Sequence, residues 1–119
     1  MSGREGAIDR KSFTFAVRAI NLYKYLSKNK HEFVMSKQLL RSGTVVGALV
    51  SEAKNAESKP DFIHKLGIAQ KECGESIYWL KLLEETDYIS KKQFNSIVCD
   101  ANELLKMIRS FIITAKKHL

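Results

Sequence analysis

"RSGTVVGALVSEA", residues 41–53, places two glycines, Gly43 and Gly47, four positions apart in a stretch that otherwise reads as helix. Glycine costs a helix interior about 1 kcal/mol relative to alanine. Three readings compete. A phosphate-cradling loop requires G-x-x-x-x-G-K-[ST] after a strand. Here the spacing is one residue short, and Ala48-Leu49 stands where the Lys-Ser/Thr pair belongs. A membrane G-x-x-x-G face fails because Arg41 and Glu52 bracket only a short apolar run. Close helix approach remains. At about 100° per residue both glycines lie beside Leu39, Leu40, Val46 and Val50, where a neighbouring backbone gains dispersion contacts that offset the propensity loss. The segment is expected to be a packed helix, although "TVVGALV" locally imitates a strand.

Three further helices follow from periodicity. Phe94, Ile97, Val98, Ala101, Leu104, Leu105, Ile108, Phe111, Ile112 and Ala115 form one amphipathic stripe. Ser90 with Gln93 makes an S-x-x-Q capping box, and Ile89 with Phe94 has the spacing of a hydrophobic staple. Upstream, Ser58, Pro60 and Asp61 mark a helix start for the stripe Phe62, Leu66, Ala69, Cys73, Ile77, Leu80 and Leu83. The first helix is expected to turn Phe13, Ala16, Ile20 and Tyr23 inward. The predicted helices are 12–29, 37–55, 59–85 and 91–117 within a single domain, 1–119. Short connections between long helices favour an antiparallel up-down four-helix bundle, an all-α fold.

Composition bounds the rest. The chain has 119 residues, 45% hydrophobic and 28% charged, the balance of a soluble globular protein. No stretch approaches the ~20 apolar residues of a membrane span, and "MSGREGAIDRK" has no apolar core for a secretory signal. Cys73 and Cys99 fit no metal spacing, so a reducing cytoplasm is the expected compartment. The net charge of +7 is uneven: +6 over residues 1–51, −3 over 52–87 and +4 over 88–119. Basic ends suggest an anionic partner, or docking between copies.

Helix 2 carries only two charges between Gln38 and Ala53, Arg41 and Glu52, on a face shared with Val45 and Ala48. Helix 3 likewise sets Ile68, Trp79 and Leu82 off its main stripe, beside Glu72 and Glu75, with Gly67 and Gly74 on a third face. Faces this apolar are expected to be buried by self-association. The expected interface residues are Arg41, Val45, Glu52, Ile68, Glu72, Glu75 and Trp79, with Arg41 paired to Glu72 or Glu75.

"QLLRSGTVVGALVSEA" (38–53) and "DFIHKLGIAQKECGESIYWLKLLEETDYI" (61–89) resemble the four-helix-bundle family encoded in intervening sequences of bacterial 23S ribosomal RNA genes. The resemblance rests on an R-S-G-T block with G-A and E-A (Arg41–Thr44, Gly47, Ala48, Glu52, Ala53), on Asp61-Phe62, and on Ala69, Lys71, Glu72, Glu75, Tyr78, Trp79, Leu80, Leu82 and Leu83. It covers about half the chain directly. The asparagine usual after G-A is Leu49 here, so no polar contact made by that asparagine carries over. The resemblance implies a bundle assembling into a ring-like homo-oligomer, typically a pentamer. Accessory proteins of diversity-generating retroelements are similar; they bind nucleic acid and a reverse transcriptase.

No catalytic, cofactor or metal site is expected. His31, His64 and His118 are scattered, none has a His or Cys at i+3 or i+4, and HExxH is absent. Cys99 shares the polar side of helix 4 with Lys92, Lys106 and Lys117, a setting that favours a thiolate modestly, but an interface or incidental role is the leading expectation. The richest surface is cationic. Arg10, Lys11, Arg18, Lys24 and Lys28 fall in one arc of the first helix with Thr14, Asn21 and Tyr25 and no acid among them. Lys92, Lys106 and Arg109 extend the basic surface to the last helix. Such cations either hold phosphates or merely keep a bundle in solution. The leading expectation is a non-enzymatic oligomer binding the RNA or DNA backbone, with a nucleic-acid enzyme such as a reverse transcriptase as a candidate partner. The alternative is an interaction scaffold whose basic face meets an acidic protein.

Overall fold

A computed structural model describes residues 3–119, with side chains from residue 6 onward. Met1 and Ser2, part of the leading stretch read above for a signal peptide, lie outside the described residues. Four helices make up the fold: α1 (Gly3–Asn29), α2 (Met35–Lys54), α3 (Lys59–Glu85) and α4 (Lys91–Lys117). A 27-residue helix spans about 40 Å, which matches a body of 47 × 22 × 21 Å. Each helix packs on two others, in the cycle α1–α2–α3–α4–α1, with no diagonal packing among the described residues.

Cross-helix pairs give the register. Ser12 and Ala19 of α1 meet Gly47 and Gly43 of α2. Ser42 meets Ser76 across α2 and α3, while Glu52 reaches Lys65. Cys73 of α3 meets Ala101 of α4, and Lys11 and Arg18 of α1 reach Glu103 and Asp100 of α4. In the α1–α2, α2–α3 and α1–α4 contacts the residue numbers rise along one helix as they fall along the other.

The glycines of α2 do what their position suggests. A Cβ at Gly43 would fall 2.7 Å from the Ala19 Cβ, and one at Gly47 would sit 3.4 Å from the Ser12 carbonyl oxygen. The core is aliphatic with Phe15 at its centre, and Leu26, Leu39, Val46, Leu66, Leu80, Leu83, Leu104 and Ile108 are fully buried. Leu49, directly after Gly47-Ala48, belongs to this core. Polar groups inside are paired: Ser42 and Ser76 share a 2.8 Å hydrogen bond, and the Cys73 thiol donates to the Ala101 carbonyl at 3.4 Å. Burial pushes that thiol up to about 11, so it keeps its proton.

The starts of α3 and α4 follow their sequence signals. Ser58 accepts from the Asp61 amide, and Ser90 and Gln93 form the reciprocal capping box. Helix α1 departs from expectation in two ways. It begins at Gly3 rather than near Ser12, because Ile8 is buried in the core and anchors the extra turns. Its inward face is Ile8, Ser12, Phe15, Ala19 and Leu26, whereas Phe13 is 70% exposed and Ala16, Ile20 and Tyr23 are only partly covered. The expected stripe was rotated, because α1 is apolar on more than one side and the partner α2 selects the side with small residues.

Helix α2 starts at Met35, two residues before the expected Lys37. Glu32, only 7% exposed, folds its carboxylate back onto the Val34, Met35 and Ser36 amides at 3.0, 3.0 and 2.8 Å. The Ser36 hydroxyl donates to the Glu32 carbonyl at 2.8 Å. Burial pulls the Glu32 pKa up, but the three amides together outweigh it, and the group stays below the usual carboxylate range.

Candidate nucleic-acid interface

The cationic residues converge on the seam between α1 and α4, and the seam divides into two halves. In one half the cations are paired. Lys11 forms an ion pair with Glu103, which raises the pKa of the lysine and lowers that of the carboxylate. Arg18 donates to Asp100 at 2.8 Å, to the Ser96 carbonyl at 3.1 Å and to the Ser96 hydroxyl at 2.9 Å. Arg10 lies with Lys11, Thr14, Asp100, Glu103 and Met107 around the same hollow. The arc free of acids within α1 is therefore not free of acids in the fold. A helical projection sees one helix only, while α4 supplies both of its carboxylates to this face. The signal was available: Asp100 and Glu103, three apart on α4, oppose Lys11 and Arg18, seven apart on α1.

The other half is unpaired. Lys24, Lys28 and Lys92 are exposed and make no ion pair among the described residues. Lys92 borders a hollow lined also by Arg18, Asn21, Tyr25, Gln93 and Ser96 over an apolar floor of Leu22, Ile89 and Ile97. It offers cations, amides, hydroxyls and one phenol, the mixture that contacts phosphate and sugar. Lys106 and Arg109 are also exposed and unpaired, but Arg109 lies 17 residues beyond Lys92, about 25 Å along the helix. The structure thus brings Arg18, Lys24, Lys28 and Lys92 to one end of the seam and leaves Lys106 and Arg109 near the other.

The residues expected at an interface between copies are joined within one chain. Arg41 of α2 donates to both Glu72 oxygens, at 3.0 and 2.9 Å, and to Glu75 at 2.6 Å. The Trp79 indole N–H donates to the same Glu75 carboxylate at 3.1 Å. Donation from Trp79 is the largest influence holding Glu75 below the usual carboxylate range, and Arg41 adds to it against an opposing effect of burial. Glu52 pairs with Lys65 at 3.3 Å. Val45, Ile68 and Trp79 are partly buried against the chain's own core. The large apolar side chains left exposed are instead Phe13, Val17, Phe33, Val34, Tyr78, Ile113 and Leu119.

Other places carry less. Among the described residues no three His, Cys, Asp or Glu side chains come together as metal ligands, and no helix is long and apolar enough to cross a membrane. Cys99 is exposed, and its thiol donates to the Glu103 carboxylate at 3.7 Å. An apolar hollow lies among Ile8, Val50, Phe62, Leu66 and Phe111, but Lys54 beside it is held by Asp9 at 2.6 Å and Lys59 by the His118 carbonyl at 2.9 Å.

Comparison with known proteins adds a family. A family model described as 23S rRNA-intervening sequence protein matches residues 4–110, nearly the whole chain. The chain belongs to this family. A solved relative in the 23S rRNA-intervening sequence fold is a protein of unknown function from the S23 ribosomal protein family of Bacteroides thetaiotaomicron VPI-5482. It is 50% identical, covers 92% of this chain and 97% of its own, and superposes with a TM-score of 0.90. None of the curated proteins compared with the sequence matches it.

Proposed function

We propose that this 23S rRNA-intervening sequence family member is a non-enzymatic, cytoplasmic nucleic-acid-binding protein that grips the RNA or DNA backbone at the α1–α4 seam. The observation that carries this reading is the exposed Lys24, Lys28 and Lys92, without an ion pair among the described residues, with Lys92 lining a hollow beside Arg18 and Tyr25. Unpaired ammonium groups are free to replace the counterions of a phosphate backbone, whereas the paired half of the seam is already neutralised. Lysine ammonium groups meet phosphates as point charges, so their contribution is to backbone and shape rather than to sequence.

The same reading takes the four helices as an antiparallel up-down bundle, supported by the opposed numbering of the cross-helix pairs. It also takes the molecule to a bacterial ring-like homo-oligomer, a pentamer by family resemblance. Association would cover apolar surface that one chain leaves open, such as Phe13 and Val17 on α1. Symmetric repetition of the seam would then multiply phosphate contacts. A nucleic-acid enzyme such as a reverse transcriptase is a fitting partner for such an accessory.

The test is binding of a labelled structured RNA and a matched DNA duplex, titrated over salt. Affinity that survives near-physiological salt, with a log–log slope reporting several phosphates and a loss on Lys24→Glu/Lys28→Glu, is the expected result. Absence of binding at low salt overturns the reading and leaves the scaffold for an acidic protein in its place.

A further inference from the structure

The turn between α1 and α2 holds two large apolar side chains in solvent: Phe33 is 49% exposed and Val34 73%. The surrounding backbone is firmly built. The Leu26 carbonyl accepts from both the Lys30 amide, at 3.1 Å, and the Glu32 amide, at 3.0 Å. His31 takes a positive φ of 53° so that the chain can reverse, and Glu32 closes the turn by bonding the Val34, Met35 and Ser36 amides. A β-carbon residue in the left-handed region and a buried carboxylate both cost free energy. The result of that expenditure is a rigid tip that points Phe33 and Val34 away from the core.

Cations surround this tip. Lys30 lies three residues before Phe33 and Lys37 four residues after it, both exposed and without an ion pair among the described residues. Lys24 and Lys28 are on the last turns of α1, leading back to the hollow with Tyr25 and Lys92. The one acid between Lys24 and Gln38 is Glu32, which is turned inward. Because Glu32 occupies the first amides of α2, that helix end is closed to phosphate, and anion binding at the tip falls to the lysines.

We infer that Phe33 is a stacking platform for an unpaired nucleobase, with the lysines of the α1–α2 tip and the end of α1 holding the adjoining phosphates. This deepens the nucleic-acid reading above and rests on it. An aromatic face beside a cationic track is the arrangement that binds single strands without reading sequence. Two apolar side chains bury too little surface to hold a chain on a bilayer unaided, whereas one aromatic face suffices to stack one base.

The experiment uses the full chain and two labelled RNA hairpins of the same stem, one blunt and one with an unpaired 3′ overhang. Phe33→Ala is expected to weaken the overhang hairpin by about tenfold, to leave the blunt hairpin and the salt slope unchanged, and to melt as the parent does. Phe33→Tyr is expected to restore most of the loss. Equal effects on the two hairpins, or no effect on either, overturn the stacking role, while loss on Lys24→Glu/Lys28→Glu in the same assay preserves the backbone-binding reading. Failure of the parent to bind either hairpin at low salt removes both. Phe33-dependent sedimentation with phosphatidylserine vesicles, with hairpin binding unchanged by Phe33→Ala, assigns the tip to membranes and overturns the inference.

Discussion

Gly43 of α2 and Ala19 of α1 face each other so closely that a β-carbon on the glycine would lie 2.7 Å from that of the alanine, with Phe15 at 3.6 Å. Neither neighbour is the free end of a flexible side chain. Gly43→Ala gains about 1 kcal/mol of helix propensity but overpacks the seam, and overpacking costs about 1–3 kcal/mol. A net loss of stability is expected, read by thermal or urea unfolding. Ala19→Gly in the same chain should recover part of it, because the two substitutions share one contact. Gly74→Ala is the control, since nothing lies within 4 Å of its added carbon, and it should stabilise by up to about 1 kcal/mol.

Glu32 links acid stability to one group. Its pKa in the fold lies below the unfolded value, so its contribution is fully present above the unfolded carboxylate range. That contribution is lost as pH falls through the lower folded value. Glu32→Ala leaves the Val34, Met35 and Ser36 amides without their partner and should cost about 1–3 kcal/mol at neutral pH. The melting temperature of this variant should also fall less steeply than the parent's between neutral and acid pH.

Trp79 is the chain's single tryptophan and donates to Glu75, so its emission reports the protonation of that carboxylate. An acid titration of the fluorescence should show a midpoint below the ordinary glutamate range. Glu75→Gln should abolish the transition. Arg41→Met should move the midpoint upward by removing a cation 2.6 Å away, while costing less than about 1 kcal/mol, because half of the Arg41 side chain is in water.

Asp87 takes a positive φ of 67° after α3, where the Tyr88 amide returns to the Leu83 carbonyl at 2.9 Å. This is a helix C-terminus that favours glycine. The Asp87 side chain is exposed, so Asp87→Gly relieves the backbone without removing a core contact and should raise stability by about 0.5–1 kcal/mol. Asp87→Val should lower it.

Much of the fold is legible because local signals and packing agree. The Ser90–Gln93 box and the stripe ending at Ala115 belong to one helix by chemistry and by periodicity, and α4 follows both. The small residues of α2 announced a close neighbour, but not which side of α1 would meet them. A wheel drawn on α1 offers Phe13 and Phe15 equally, and the choice is made by Gly43 and Gly47, which accept Ala19 and Ser12 but leave no room for a larger face. Glu32 was silent for a different reason. It lies outside the expected helix and acts through its carboxylate on amides two to four residues ahead. On the candidate interface the lysines were legible as a group, and their division into paired and unpaired halves was not. That division depends on which carboxylates α4 turns toward α1.

The first and last helices are the packed pair farthest apart along the chain. The pairs α1–α2, α2–α3 and α3–α4 are joined through the short turns 30–34, 55–58 and 86–90, so each closes a small loop. The α1–α4 pair closes the whole circuit and is fastened largely from outside, by Lys11–Glu103 and Arg18–Asp100. It is the seam with the most to lose when the bundle breathes. A polyanion lying across Lys24 of one helix and Lys92 of the other would brace the door it enters by.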